Sequence, residues 1–303
     1  MQSKDEVNIG EVCQQTGVAA VTLRAWERRY GIIKPKRTPK GHRLYTQDNV
    51  EEINQIVNWL NRGVAISKVA ELLIAGEVPP QGNPKDESWQ QLQQEVFSTL
   101  LALEQRRLNS LFEKLSKSMP FVNLCEHIYQ PLLSQLRARW QTEPLGYQLE
   151  QQLWQQCWQR QITVLTWRAD KQQPRANCCL VNLDSQDSAL DYWLFYALLL
   201  QSGIQTHAIN QVDDLAALPR LRNSLDYPLI IFGDNKIVTR DIEQIFKTKS
   251  ISHKETLVLG HVAEIHQDTF THLGIDYIGG NAISCWQSTT YQTWIERVVS
   301  NND

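Results

Sequence analysis

The most constraining feature of the sequence is a basic stretch, Val21–Tyr45, in a chain that is acidic as a whole. The stretch holds eight lysines and arginines against one acid, Glu27, whereas the 303-residue chain has a formal net charge of −3. Positive charge concentrated in an acidic protein is typical of a surface that binds the phosphate backbone of nucleic acid. A solvated charged loop is the alternative. The order of the residues within and around the stretch argues against that alternative.

Two short helices separated by a glycine-containing turn are predicted at the start of this stretch. The first begins after Asn8 and ends at Thr16–Gly17. The second covers Ala20–Tyr30 and ends at Gly31. In the second helix we expect Val21, Leu23 and Trp26 to face inward, and Thr22, Arg24, Arg28 and Arg29 to face outward. Two helices in this arrangement form a helix-turn-helix, whose second helix enters the major groove of DNA.

A β-hairpin, the wing of a winged helix-turn-helix, is predicted next because Pro35, Pro39 and Gly41 punctuate two short extended segments. Thr46 is expected to cap a third helix, and Ile66–Ile74 to form a fourth. The predicted DNA contacts are Thr22, Arg24 and Arg28 on the second helix, and Lys36, Arg37, His42, Arg43 and Tyr45 on the wing. The wing contacts are expected to reach mainly phosphates, which raise affinity without reading the base sequence.

The spacing of the apolar residues changes along the chain, and these changes divide it into predicted domains. Residues 1–75 are the predicted DNA-binding domain, and residues 76–87, which read GEVPPQGNPKDE, are a linker. Residues 88–170 show only helical periodicity, which predicts a four-helix bundle. In residues 175–303 β-rich runs alternate with helical segments, which predicts a doubly wound parallel sheet of flavodoxin-like type. The expected fold class is therefore multidomain, α and α/β.

The elements of the α/β domain can be placed approximately. Strands are predicted at residues 178–181, 203–207, 229–232, 257–259 and 275–278. Helices are predicted near residues 187–202, 211–222, 238–248, 264–272 and 286–299. In and beside the bundle, five tryptophans can form either a core or the wall of a cofactor pocket, and a core is the expectation. These are Trp89, Trp140, Trp154, Trp158 and Trp167.

The N-terminal residues carry a family resemblance. The segment from Ile9 to Ile56 resembles the DNA-binding domain of the bacterial MerR family in its TLR helix, its E-R-R-Y turn and its R-T-x-x-G-x-R-x-Y wing. The bundle and the α/β domain together resemble the cobalamin-binding unit of the family's MlrA-like and light-responsive-repressor-like branch. The resemblance implies a transcription regulator that forms a homodimer or a higher homo-oligomer and binds a double-stranded, pseudo-palindromic operator.

The sequence departs from that branch at its corrinoid motifs. The family's cobalt-binding histidine falls on Ser188, the glycine of the same loop on Asp191, and the histidine of the bundle's capping motif on Gln151. Serine is a poor substitute for imidazole as a cobalt ligand, so we expect no cofactor. The full set of degenerate positions is Ser188, Asp191, Gly233, Gly260, Trp140, Glu150 and Gln151.

Three functional hypotheses follow. The preferred one is a sequence-specific DNA-binding regulator whose C-terminal module aids oligomerisation and responds to a signalling-protein partner or another signal. The second is an adenosylcobalamin-dependent, light-responsive repressor, which the serine at position 188 disfavours. The third is a corrinoid or α/β enzyme with a DNA-binding appendage, for which the sequence shows no catalytic residue set.

Other classes of site have little support in the sequence. Six cysteines occur without a C-x-x-C pair, so neither a zinc site, nor another metal site, nor a disulfide framework is expected. No apolar run has transmembrane length, and the first residues do not resemble a signal peptide. The expectation is a cytoplasmic bacterial protein without a membrane partner.

Overall fold

The structure is a computed structural model, and it describes most of the chain. The described residues are 6–77, 87–142, 146–170, 173–183, 190–210, 212, 218, 227–234, 236–237, 242, 246 and 255–300, without the side chains of residues 14, 87, 88 and 168. The chain divides into two compact units, Met1–Cys157 and Trp158–Asp303. The first unit holds the predicted DNA-binding domain together with most of the predicted bundle.

The first part of unit one is a winged helix-turn-helix. Its elements are β1 (Glu6–Asn8), α1 (Ile9–Thr16), α2 (Ala20–Tyr30), β2 (Lys36–Arg37), β3 (Arg43–Thr46), α3 (Gln47–Asn61) and α4 (Ile66–Ile74). The strands form an antiparallel sheet with β3 in the centre. Asn8 caps α1 and Thr46 caps α3, each accepting a hydrogen bond from a backbone N–H of the first turn. Gly17 and Gly31 end α1 and α2 with φ of 69° and 65°, a conformation that favours glycine.

The second part of unit one is helical. It consists of α5 (Glu87–Leu101), α6 (Gln105–Ser118), α7 (Phe121–Leu124), a π-helical turn (Cys125–Tyr129), α8 (Gln130–Thr142) and the first half of α9 (Tyr147–Ala169). The residues of α9 from Trp158 onward belong to unit two. Because α7, the π turn and α8 follow one another without a gap, the predicted four-helix pattern is present, with an irregular third helix. Trp89, Trp154 and Trp158 are buried as predicted. Trp140 is half-buried, and the prediction of a core position is wrong for Trp167, which is 61% exposed.

Unit two contains a five-stranded parallel sheet in the order β5-β4-β6-β7-β8. Its strands are β4 (Ala176–Asn182), β5 (Ile204–Ile209), β6 (Leu229–Phe232), β7 (Thr256–Leu259) and β8 (Asp276–Ile278). Residues of β4, β6 and β7 are almost all buried, as expected for the central strands of a covered parallel sheet. The strand order reverses between β4 and β6, and ligands of such sheets bind at the carboxyl ends of the strands around that point.

The described helices of unit two are α10 (Leu190–Gln201), α11 (His261–Ile265), α12 (Gln267–Leu273), α13 (Ala282–Gln287) and α14 (Thr289–Ser300). The helices predicted near 264–272 and 286–299 are each divided in two, at His266 and at Ser288. The helices predicted near 211–222 and 238–248 lie almost entirely outside the described residues. None of the helices that the structure describes combines the length and the apolar composition needed to cross a membrane.

The core of unit two includes an apolar cluster of buried residues from the sheet and its helices. Its members are Cys179, Val181, Leu218, Leu229, Ile231, Ile242, Phe246, Val258, Val262, Ala263, Phe270 and Ile275. Alternate residues of β4 and β6 belong to this cluster because successive side chains of a strand point to opposite faces of the sheet.

Candidate nucleic-acid interface

Helix α2 has a cationic exposed side and an apolar buried side. Arg24, Arg28 and Arg29 are exposed, whereas Leu23 and Trp26 are buried. Arg24 and Arg28 are four residues apart and therefore lie one turn apart on the same face. Within the described part of the chain, none of the three arginines forms an ion pair. Their charges remain available to an external anion.

Two predicted DNA contacts, Thr22 and Tyr45, have side chains that lie inside the protein, so the prediction that Thr22 faces outward is wrong. Thr22 and Tyr45 each retain 1% of their exposed surface. Thr22 precedes Trp26 by four residues, so it shares the buried face of α2. Tyr45 lies in the central strand β3, opposite Val7 of β1. Burial raises the pKa of Tyr45 to about 12, which keeps its phenol neutral.

Three predicted contacts on the wing form ion pairs within the domain. One oxygen of Glu27 lies 2.9 Å from Nη2 of Arg37, and the other lies 2.5 Å from Nε of Arg43. The Lys36 ammonium lies 2.7 Å from the carboxylate of Glu6, which raises the pKa of Lys36 by hydrogen bonding and charge attraction. The wing is therefore fastened to α2 through Glu27 and to β1 through Glu6.

The tip of the wing leaves other groups exposed. The amide of Thr38 donates to the carbonyl of His42 at 2.9 Å, and Gly41 closes the turn with φ of 82°. His42 is exposed, as are Lys34 and Lys40. Among the described residues, neither lysine forms an ion pair. These two lysines and Arg29 were not among the predicted contacts, although their position in the basic stretch is the signal that could have identified them.

The helix-turn-helix packs against the helical part of the same unit. The indole Nε1 of Trp26, in the middle of α2, donates to the carbonyl oxygen of Ser118 at 3.0 Å. Nδ2 of Asn123 donates to Oδ1 of Asn61, and the Trp89 indole donates to the Asn61 carbonyl at 3.4 Å. Helix α2 is thus fixed at its centre by a residue 92 positions later in the chain.

The degenerate capping positions of the bundle contact one another. Glu150 is 6% exposed, and its two carboxylate oxygens accept hydrogen bonds from Nη2 and Nε of Arg139 at 3.0 and 3.1 Å. The indole Nε1 of Trp140 donates to the same carboxylate at 2.9 Å. Gln151 is half-buried. The structure therefore brings two residues of the degenerate motif, Trp140 and Glu150, together in a hydrogen-bonded cluster with Arg139.

The carboxyl edge of the sheet holds further degenerate positions. Asp191 is 1% exposed, and its Oδ1 accepts a hydrogen bond from the backbone N–H of Ala282 at 3.1 Å. Gly260 has φ of 92°, and a Cβ there would lie 2.4 Å from the carbonyl oxygen of Gly233. Ser188 lies outside the described residues. The strand ends therefore meet closely at Gly233 and Gly260, and the buried Asp191 carboxylate contacts the start of α13.

Two histidines near this edge have partners within the protein. Nδ1 of His261 lies 3.0 Å from Oε2 of Glu264, and this hydrogen bond raises the pKa of His261. His266 is buried, which lowers its pKa, and its Nε2 accepts from the backbone N–H of Ile237 at 3.3 Å. Each of these histidine side chains therefore has a hydrogen-bond partner within the protein.

Comparisons with known proteins agree with this geometry. Residues 7–75 match the family described as MerR HTH family regulatory protein. HTH-type transcriptional regulator MlrA of Escherichia coli (strain K12) is 34% identical over 131 residues, which cover 43% of this chain and 52% of the relative. HTH-type transcriptional repressor CarH of Myxococcus xanthus is 29% identical over 168 residues, which cover 52% of this chain and 55% of the relative.

A shorter match is to the regulator of a resistance operon. The mercuric resistance operon regulatory protein of Bacillus cereus is 35% identical over 65 residues, 22% of this chain and 49% of the relative. The chain thus spans about half the length of the curated relatives it matches. The predicted resemblance of the N-terminal residues is confirmed: residues 7–75 are a MerR-type helix-turn-helix domain, and the chain is a homologue of the regulators MlrA and CarH.

Proposed function

We propose that this protein is a bacterial, cytoplasmic, sequence-specific DNA-binding transcription regulator that acts as a homodimer or a higher homo-oligomer. The observation that carries the proposal is the exposed face of α2, where Arg24 and Arg28 lie one turn apart. The opposite face of the same helix is held inside the unit through Trp26. A rigidly held helix with an arginine-bearing outer face is suited to enter the major groove, where arginine can donate two hydrogen bonds to guanine.

The two parts of the basic stretch have different proposed roles. Arg24 and Arg28 would contact base edges, whereas Lys34, Lys40 and His42 would contact phosphates on either side of the groove. Two copies related by a two-fold axis would read half-sites about one helical turn apart. The role is one of binding rather than catalysis, in agreement with the names of the matched relatives, which are regulators.

The proposal is tested by selecting duplexes from a random-sequence pool with the intact wild-type chain. We expect a pseudo-palindromic motif to be enriched, and competitor DNA of scrambled sequence to bind more weakly. A pool that shows no enriched motif would contradict sequence-specific binding. The selected duplex is also the probe for the variants described below.

Arg28→Ala should weaken binding to the selected duplex by about 1–3 kcal/mol, because the variant loses an arginine on the groove-facing side of α2. If Arg28 also displaces a counterion, the slope of log K against log salt should fall by about 0.9. The measurement is a fluorescence-anisotropy titration at several salt concentrations. Lys114→Ala is the matched control, since Lys114 is an exposed cation on α6. Equal affinities for the two variants would remove Arg28 from the interface.

We also propose that the C-terminal unit does not bind cobalamin and takes its signal from a protein partner. The residues present do not fit a corrinoid. Position 188 has a serine where the family uses histidine, and the buried Asp191 carboxylate lies where the family has a glycine. In the bundle, the Glu150 carboxylate already accepts hydrogen bonds from Trp140 and Arg139.

Incubation with adenosylcobalamin in the dark, followed by desalting, should leave the protein without corrinoid absorbance. The physical reason is the lack of an imidazole ligand at position 188 and the buried carboxylate at position 191. The same treatment of a cobalamin-binding protein serves as the positive control. Co-elution of corrinoid with the chain would instead support the adenosylcobalamin-dependent repressor, in keeping with the 29% identity to CarH.

A further inference from the structure

Glu27 is the one acid inside the basic stretch. Its negative charge would be expected to oppose DNA binding, but its contacts indicate that it supports binding. We propose that Glu27 is a positioning residue that holds the wing against α2, so that high-affinity DNA binding depends on this carboxylate. The inference rests on the proposed DNA-binding function and deepens it. It predicts that removing a negative charge from a DNA-binding surface weakens the binding.

The first argument is the placement of the two arginines that Glu27 binds. Arg37 of β2 and Arg43 of β3 are directly opposite each other in the wing hairpin. Like charges at opposite positions of an antiparallel pair destabilise the pairing. The two oxygens of Glu27 each accept from one of these arginines. One carboxylate thus offsets the repulsion within the hairpin and joins both of its strands to α2.

The second argument is the environment of this cluster. The side chains of Glu27 and Arg43 are 20% and 23% exposed, and that of Arg37 is 52% exposed. Partly buried ion pairs are screened by salt less than exposed ones. By comparison, Lys68 and Glu71 are 60% and 68% exposed and lie on one helix, so their ion pair joins no separate elements. The cluster of Glu27, by contrast, spans ten and sixteen residues of sequence.

The third argument is the small size of the wing. Strand β2 has two residues and pairs only with β3 among the described strands. Two-stranded hairpins are marginally stable by themselves in water. Beyond the ladder, the side-chain ion pairs of this hairpin go to Glu27 and to Glu6. Losing the Glu27 cluster should therefore let the tip, with Lys40 and His42, move away from the position set by α2.

A purely additive view of charge predicts the opposite result. If only net charge mattered, Glu27→Gln would add one positive charge to the head and would tighten binding to DNA. If Glu27 positions the wing, the same substitution loses affinity because the phosphate contacts of the wing become disordered. The sign of the change in affinity therefore separates the two views.

The experiment compares Glu27→Gln with Glu51→Gln on the selected duplex, by anisotropy titration at several salt concentrations. Glu51 is an exposed acid on α3, so both variants change the net charge by the same amount. We expect Glu27→Gln to bind about tenfold more weakly and with a lower salt slope, a change of ~1.4 kcal/mol, and Glu51→Gln to bind as well as wild type or slightly more tightly. Wild-type or tighter binding by Glu27→Gln would overturn the proposal.

A second measurement, without DNA, separates release of the wing from general unfolding. Tryptic cleavage after Lys40 should be faster in Glu27→Gln than in wild type, while cleavage at sites in the bundle keeps its wild-type rate. Uniform acceleration over the chain, or an unchanged rate after Lys40, would contradict a local role for Glu27. Should wild type bind no duplex, the proposed function fails, and the cleavage result still decides whether Glu27 holds the wing.

Discussion

Trp26→Ala should lower the free energy of unfolding of the first unit by about 3–5 kcal/mol and abolish DNA binding at temperatures where the wild type binds. The side chain is fully buried in the middle of α2, and its indole Nε1 donates to the Ser118 carbonyl. Truncation leaves a large cavity beneath α2 and removes the donor to the carbonyl oxygen of Ser118, the last residue of α6. The measurement is urea denaturation of the intact chain followed by circular dichroism.

Two further variants test whether the loss of stability in Trp26→Ala comes from the buried position and from the hydrogen bond of its indole. Trp167→Ala removes the same side chain from a position that is 61% exposed, so it should change the unfolding free energy by less than about 1 kcal/mol. Trp26→Phe retains most of the buried apolar surface but loses the hydrogen bond, with an expected cost of about 1–3 kcal/mol. Similar midpoints for Trp26→Ala and Trp167→Ala would show that α2 does not depend on its attachment at Ser118.

Glu150→Ala should destabilise the first unit by about 3 kcal/mol, because breaking one side of a buried ion pair costs far more than losing an exposed one. The substitution removes the acceptor of hydrogen bonds from two nitrogens of Arg139 and from the Trp140 indole. Arg139 retains partial exposure, 27% of its side chain, so water limits the loss. Urea denaturation of the intact chain again gives the free energy.

The control for this prediction is an exposed ion pair of the same bundle. Glu113 on α6 is 62% exposed and pairs with Lys117 one turn later. Glu113→Ala should cost less than about 1 kcal/mol. A Glu150→Ala variant that is no less stable than Glu113→Ala would mean that the cluster does not hold α8 and α9 together.

Local signals account for the parts of the fold that could be predicted. Asn8 and Thr46 cap helices where predicted, and Gly17 ends α1 at the predicted turn. These features depend on a few neighbouring residues, which a sequence displays directly. The alternation of β-rich and helical segments likewise predicts a parallel sheet, and the structure confirms it. The last predicted helix is interrupted at Ser288, which shows that hydrophobic periodicity places helix boundaries only approximately.

The burial of particular side chains in the DNA-binding domain was harder to predict. The four-residue spacing between Thr22 and Trp26 is a signal that could have placed Thr22 inside. Tyr45 offers no such signal, because Arg43 and Tyr45 occupy the same side of β3 while one forms an ion pair near the surface and the other is buried. The two residues differ in their neighbours, because Arg43 pairs with Arg37 of β2 whereas Tyr45 pairs with Val7 of β1, and only the tertiary structure shows this pairing.

The sequence by itself determined the MerR-type helix-turn-helix, the helical middle region and the parallel α/β unit, because caps, turns and hydrophobic periods act over a few residues. Only the tertiary structure decided which cations of the basic stretch are exposed and, among the described residues, lack an ion pair. Glu27 contacts arginines ten and sixteen positions away, and Trp26 is held by a carbonyl 92 positions away. Such contacts depend on how the elements pack, since attraction between distant charges and the burial of an indole arise only when the chain folds back on itself.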